Sequence, residues 1–100
     1  MKLTLGHLVP LEAKPGKEEE VAAFLTEAAQ MTRQETTTPL WFAVRLDKTR
    51  FAIFDAFRDE AGRQAHLNGP IAAALMSQAP HLFAAPPVIE ALDVVGAKLP

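Results

Sequence analysis

The sequence predicts an α+β domain of ferredoxin-like type: a βαββαβ order, a four-stranded antiparallel sheet, and two helices on one face of that sheet. Three patterns point to it. Residues 2–14 alternate, with Leu3, Leu5, His7, Val9 and Leu11 on one side of a strand. Residues 17–34 switch to helical spacing, and two apolar runs, 40–46 and 51–57, flank the charged stretch Asp47-Lys48-Thr49-Arg50 as the arms of a hairpin.

Each element has a local cause. Pro10 lacks an amide donor, which predicts a bulge or an unpaired edge in the first strand, and Pro15-Gly16 ends that run. Val21, Phe24, Leu25, Ala28 and Met31 form the apolar stripe of the first helix. Glu18, Glu19 and Glu20 fill its first turn, where the helix dipole favours carboxylates. Thr36-Thr37-Thr38-Pro39 is a poor helix former, so the helix ends near Glu35.

A two-residue turn at Lys48 and Thr49 places Asp47 opposite Arg50. One face of the hairpin then carries Leu40, Phe42, Val44, Leu46, Phe51, Ile53, Asp55 and Phe57, and the other Trp41, Ala43, Arg45, Ala52, Phe54 and Ala56. Asp59-Glu60 opens the second helix, with Ala61, Ala65 and His66 turned inward. Asn68-Gly69-Pro70 interrupts it, and a further helical segment covers 70–77, started by the proline. Between Pro80 and Pro86, His81-Leu82-Phe83 reads as a solvated loop or a lid over a pocket mouth, and the last strand spans 88–97.

Composition narrows the function. The 100 residues, 49% of them hydrophobic, suit one domain over 1–100, and a net charge of −2 without a Lys/Arg block argues against nucleic acid as a partner. With no cysteine, disulfides, thiolate zinc, iron–sulfur centres and thiol nucleophiles are excluded. A metal would need His7, His66, His81 and carboxylates, and Glu18, Glu19 and Glu20 point in different directions on a helix, so no metal site is expected. There is no glycine-rich nucleotide loop and no HExxH pattern. Without a signal-like segment or a long apolar run, the expectation is a cytoplasmic protein with no membrane partner.

Two features demand partners. The hairpin is apolar on both faces while two helices cover only one, which predicts a homodimer joined through the sheets. Asp55, in the middle of an apolar strand, needs a counterpart: either an imidazole, His7 or His66, or a guanidinium from Arg45, Arg50 or Arg58.

Lys14-Pro15-Gly16-Lys17-Glu18-Glu19-Glu20, Trp41-Phe42-Ala43-Val44-Arg45, and the run from Phe51-Ala52-Ile53-Phe54-Asp55 through Asp59-Glu60-Ala61 to Ala65-His66-Leu67 resemble the antibiotic biosynthesis monooxygenase family over nearly the whole chain. The resemblance implies a dimeric α+β barrel. It also implies oxygenation of a small aromatic, phenolic or quinol substrate by O₂ without a cofactor, in an apolar pocket with one or two groups that accept a phenolic proton. His66, in the Ala-His-Leu motif, is the candidate acceptor, with Asp55 beside it as catalytic carboxylate. His7, Trp41 and Phe54 are the candidate substrate-binding residues. Many members carry a second His just after the proline of the second helix, where this chain has Ile71. The same fold also serves isomerases of small metabolites and non-catalytic binding or stress-response modules, and both alternatives stay open here.

Overall fold

The computed structural model describes residues 2–100. Strand β1 (Leu5–Glu12) leads to helix α1 (Glu18–Met31), which tightens into a 3₁₀ turn at Thr32–Gln34 before β2 (Leu40–Arg45) and β3 (Arg50–Phe57). Helices α2 (Glu60–Leu67) and α3 (Pro70–Leu82) and strand β4 (Glu90–Asp93) complete the chain. The sheet order is β2-β3-β1-β4, with every neighbouring pair antiparallel. This is the ferredoxin-like arrangement that the element order predicts, with the second helix divided into two pieces.

The alternation in β1 falls as read from the sequence: His7, Val9 and Leu11 are buried, and Leu8, Pro10 and Glu12 are exposed. Pro10 stands where one side of β1 has no strand neighbour, because β4 pairs only with Leu5 through Leu8. The Ala13 amide bonds to Thr49 on the β3 side while the Glu12 carbonyl accepts from Ala84 on the other. That alternation puts the donorless nitrogen of Pro10 on the unpaired edge.

The hairpin register differs from the two-residue turn expected. Arg45 pairs with Phe51 and the Leu46 amide bonds to the Arg50 carbonyl, so the loop holds three residues, Asp47, Lys48 and Thr49. Asp47 holds it closed, accepting from the amides of Thr49 (3.0 Å) and Arg50 (2.9 Å) and from Arg50 Nε (2.7 Å). One extra loop residue moves every side chain of β2 to the opposite face. Trp41, Ala43 and Arg45 therefore share the helix-covered face with Phe51, Ile53 and Asp55, and Leu40, Phe42 and Val44 go to the open face with Ala52, Phe54 and Ala56.

Val9, Leu11, Phe51 and Ile53 from the sheet meet Val21 and Leu25 of α1 and Leu75, Ala79 and Leu82 of α3, forming one core on one side. In α2 the inward positions are Gly62 and His66; Ala61 and Ala65 are exposed. Asp59 sets that phase as the N-cap, its Oδ1 accepting from the Gly62 amide at 2.8 Å. Met31, expected in the α1 stripe, lies beyond the packed face and is exposed.

Helix α3 runs past Ser77, through Pro80, to Leu82. The carbonyl that Pro80 leaves without its helical donor belongs to Met76, an exposed residue. Leu82 and Phe83 are buried, and Phe83 bridges to Ala13, so they are core residues and neither loop nor lid. His81 is exposed and pairs with Glu20 at 2.9 Å. The last strand is shorter than expected, four residues, extended by one bond from the Val94 amide to the Thr4 carbonyl.

No helix among the described residues covers the other face of the sheet. Phe42 is 56% exposed, and Leu8, Val44 and Leu46 are exposed beside it.

Candidate functional site

The two central strands bring the first polar pair together. His7 stands opposite Asp55 in the β1–β3 register, and both point under the helices. Their close approach depends on Gly6, where a β-carbon would run into the Asp55 carbonyl. His7 Nδ1 donates to Asp55 Oδ1 at 3.0 Å, and both residues are almost fully buried. A neutral imidazole with its proton on Nδ1 keeps a bare lone pair on Nε2.

Helix α2 adds the second imidazole. His66 is 6% exposed, and its Nε2 lies 3.4 Å from Asp55 Oδ2, longer than a good hydrogen bond. Its Nδ1 is 2.7 Å from Glu35 Oε1, the atom that also accepts the Thr38 hydroxyl at 2.8 Å. An oxygen that already accepts from a hydroxyl is an acceptor for the ring as well, so Nδ1 carries the proton and Nε2 is bare. The Phe57 ring packs near both imidazoles, its centroid 5.7 Å from that of His7 and 5.6 Å from that of His66.

The result is a buried row, His7, Asp55, His66, Glu35, in which imidazole and carboxylate alternate. Burial pushes Asp55 above the usual carboxylate range, partly offset by the facing imidazoles. Burial also drives His7 below an ordinary histidine, against the pull of the Asp55 charge, with Arg63 and His66 adding smaller repulsions. Arg63 does not reach Asp55 itself: it pairs with Glu60 and touches the Gly6 carbonyl. Of the counterparts open to Asp55, His7 bonds to it, His66 lies beside it, and none of the arginines reaches it. Arg45 bonds to Glu19, Arg50 to Asp47, and Arg58 is exposed.

His7, Asp55 and His66 line a cavity of about 20 Å³ whose other walls include Phe24, Trp41 and Ile71. Ile71 makes an apolar wall where the second His of the resembling family would stand, while His7 supplies a second imidazole from another element. The cavity is large enough for one water molecule. Next to it a wider groove of about 370 Å³ opens between α1 and β2, lined by Ala22, Ala29, Trp41, Ala43 and Arg45. Trp41 and Leu25 belong to both and separate them. Phe54, expected beside Trp41, is on the opposite face of the sheet, because of the hairpin register.

Sequence reasoning brought His7, Asp55 and His66 to one place, set Trp41 on the hairpin face opposite Asp55, where the observed register puts it beside them, and missed Glu35 and Thr38. Glu35 had been read only as the end of a helix. It caps the 3₁₀ turn with extended backbone (φ −93°, ψ 98°), which turns its side chain toward α2. The one available signal was a carboxylate at a helix end, where the dipole disfavours it.

Comparison with known proteins gives the relationship. A crystal structure of the NE2512 protein of Nitrosomonas europaea, whose function is unknown, superposes with a TM-score of 0.93 and 51% identity, covering 98% of this chain and 95% of that one. The chain belongs to the same family as NE2512. More distant structures share its fold, which is that of the antibiotic biosynthesis monooxygenases: a protein carrying that name (TM-score 0.77, 19% identity, 92% of this chain and 99% of that one) and a candidate member from Caulobacter crescentus (0.79, 18%, 95% and 92%). No family model and no curated protein matches the sequence.

Proposed function

We propose that the protein is a cofactor-independent monooxygenase that oxidises a small phenol or quinol with O₂, working as a homodimer. The observation that carries this reading is the meeting of two acceptors, His66 Nε2 and Asp55 Oδ2, 3.4 Å apart at the wall of a small, largely apolar cavity. Such a pair calls for an O–H group. A phenolic hydroxyl supplies one, whereas a carbonyl would face two lone pairs.

The buried cavity takes the hydroxyl but not the ring, so the ring occupies the α1–β2 groove and Trp41 turns aside to join the two spaces. His66 Nε2 accepts the phenolic proton, and the Asp55 carboxylate stabilises the imidazolium that forms. The phenolate then passes electrons to O₂, a C–O bond forms at the ring carbon, and water leaves. Overall, a phenol and O₂ give a quinone and water. Dimerisation buries Phe42, Val44 and Leu46 on the open sheet face and makes the α+β barrel.

The test is oxygen uptake by metal-stripped protein across a panel of quinols and polycyclic phenols, against an autoxidation blank. Uptake above the blank is expected, falling about 10²–10⁴-fold in His66→Ala. Trp41 is the only tryptophan, so quenching of its fluorescence by 1-naphthol reports binding separately. Quenching without uptake across the panel would replace the oxygenase by a binding module.

A further inference from the structure

We propose that Glu35 is a positioning residue for His66, holding the ring in the tautomer that leaves Nε2 bare at the cavity. The proposal rests on the reading of His66 as proton acceptor, but its geometry stands apart from any particular substrate. His66 is flanked by two carboxylates from different elements, Glu35 on the loop after α1 and Asp55 on β3. Only one proton is available to a neutral ring, so the two contacts compete for it. The lengths decide between them: 2.7 Å to Glu35 against 3.4 Å to Asp55.

Two further features place Glu35 as an orienting group. The Thr38 hydroxyl donates to the same Oε1 and keeps it aimed at the ring, Thr38 itself being buried beside His66. The second oxygen, Oε2, is buried without any partner. Buried carboxylate oxygens in folded proteins ordinarily find hydrogen-bond partners. This one concentrates two donors on one oxygen and leaves the other bare, close to the backbone of Gly69, where a β-carbon would crowd it.

If Glu35 becomes glutamine, its amide can donate to Nδ1, and the ring can then carry its proton on Nε2 and donate to Asp55. The lone pair that should receive the substrate proton is lost, with little change in shape. The experiment is long-range ¹H–¹⁵N NMR of the ¹⁵N-labelled full chain, at a pH where His66 carries a single ring proton. In wild type the expected pattern has the proton on Nδ1 and a bare Nε2; in Glu35→Gln the population moves to Nε2–H. Thr38→Val, which removes one donor to Glu35 and retains the carboxylate, should keep the Nδ1–H form. Wild-type protein in the Nε2–H form, or a Glu35→Gln spectrum with Nδ1–H unchanged, would overturn the proposal. With an oxidised phenol in hand, Glu35→Gln should lower kcat at least tenfold while KM moves less than threefold. If no phenol is turned over at all, the oxygenase reading fails while the tautomer measurement still decides the role of Glu35.

Discussion

His7 and Asp55 each alter the other's titration, because burial works against whichever of the two is charged. Taking His7 into the sheet lowers its pKa below that of an ordinary histidine, since the imidazolium loses more hydration than the Asp55 charge returns. A depressed histidine contributes stability that is present above its unfolded pKa and lost as the pH falls through its folded one. Asp55 has the opposite sign: its raised pKa gives stability that is present at low pH and lost as the pH rises through the folded value. Acidification from pH 7.5 to 5.5 falls mainly in the His7 window. Thermal melts should show Tm falling over that interval, with a slope of at most about 1.4 kcal/mol per pH unit from this group, and His7→Gln should flatten it. An equally steep slope in the variant would mean that another group is responsible. The need of Asp55 for a counterpart was legible in the sequence, with His7 as one of several candidates. Glu35 was not, because its contact with His66 spans 31 residues and depends on the angle at which a 3₁₀ turn releases the chain.

Helix α2 shows how one cap sets a site. It is only eight residues long, too short to be stable by propensity alone, and its phase decides whether His66 or a neighbour points at Asp55. The Asp59 bond to the Gly62 amide starts the helix where Gly62 and His66 face inward. Asp59→Ala should cost about 1 kcal/mol, a loss of about 4–8 °C in Tm for a domain of this size. A Tm within 1 °C of wild type would show that packing alone sets the phase of α2. The sequence announced this helix start through Asp59-Glu60 and turned His66 inward, but it set Ala61 and Ala65 on the same face, since alanine fits either side of a helix and carries little periodic signal. The hairpin failed for a similar reason. Asp47-Lys48-Thr49-Arg50 accommodates a two- or a three-residue loop, and apolar residues on both faces of β2 remove the alternation that would have chosen between them.

The domain as a whole is lopsided: three helices on one face of the sheet, and Leu8, Phe42, Val44 and Leu46 exposed on or beside the other. Monomers rarely expose large contiguous apolar patches, and a two-fold pairing of sheets would bury these side chains in both copies at once. Sedimentation equilibrium at micromolar concentration should give a dimer. Phe42→Lys, at the most exposed phenylalanine, should give a folded monomer with unchanged secondary structure by circular dichroism. A wild-type monomer would remove the sheet-to-sheet barrel from the reading of this protein.

Element order, strand and helix types, the alternation of β1 and the need of Asp55 for a partner follow from the sequence alone. They are written in local periodicity, in proline and glycine positions, and in the cost of a carboxylate among apolar neighbours. Tertiary structure alone decided which face of β2 carries Trp41, that Leu82 and Phe83 belong to the core, and that Glu35 and Thr38 complete the row of His7, Asp55 and His66. Those outcomes depend on register, on the angle at which a turn releases the chain, and on contacts between residues distant in sequence. No local pattern encodes these, because they arise only when separate elements compete for the same space.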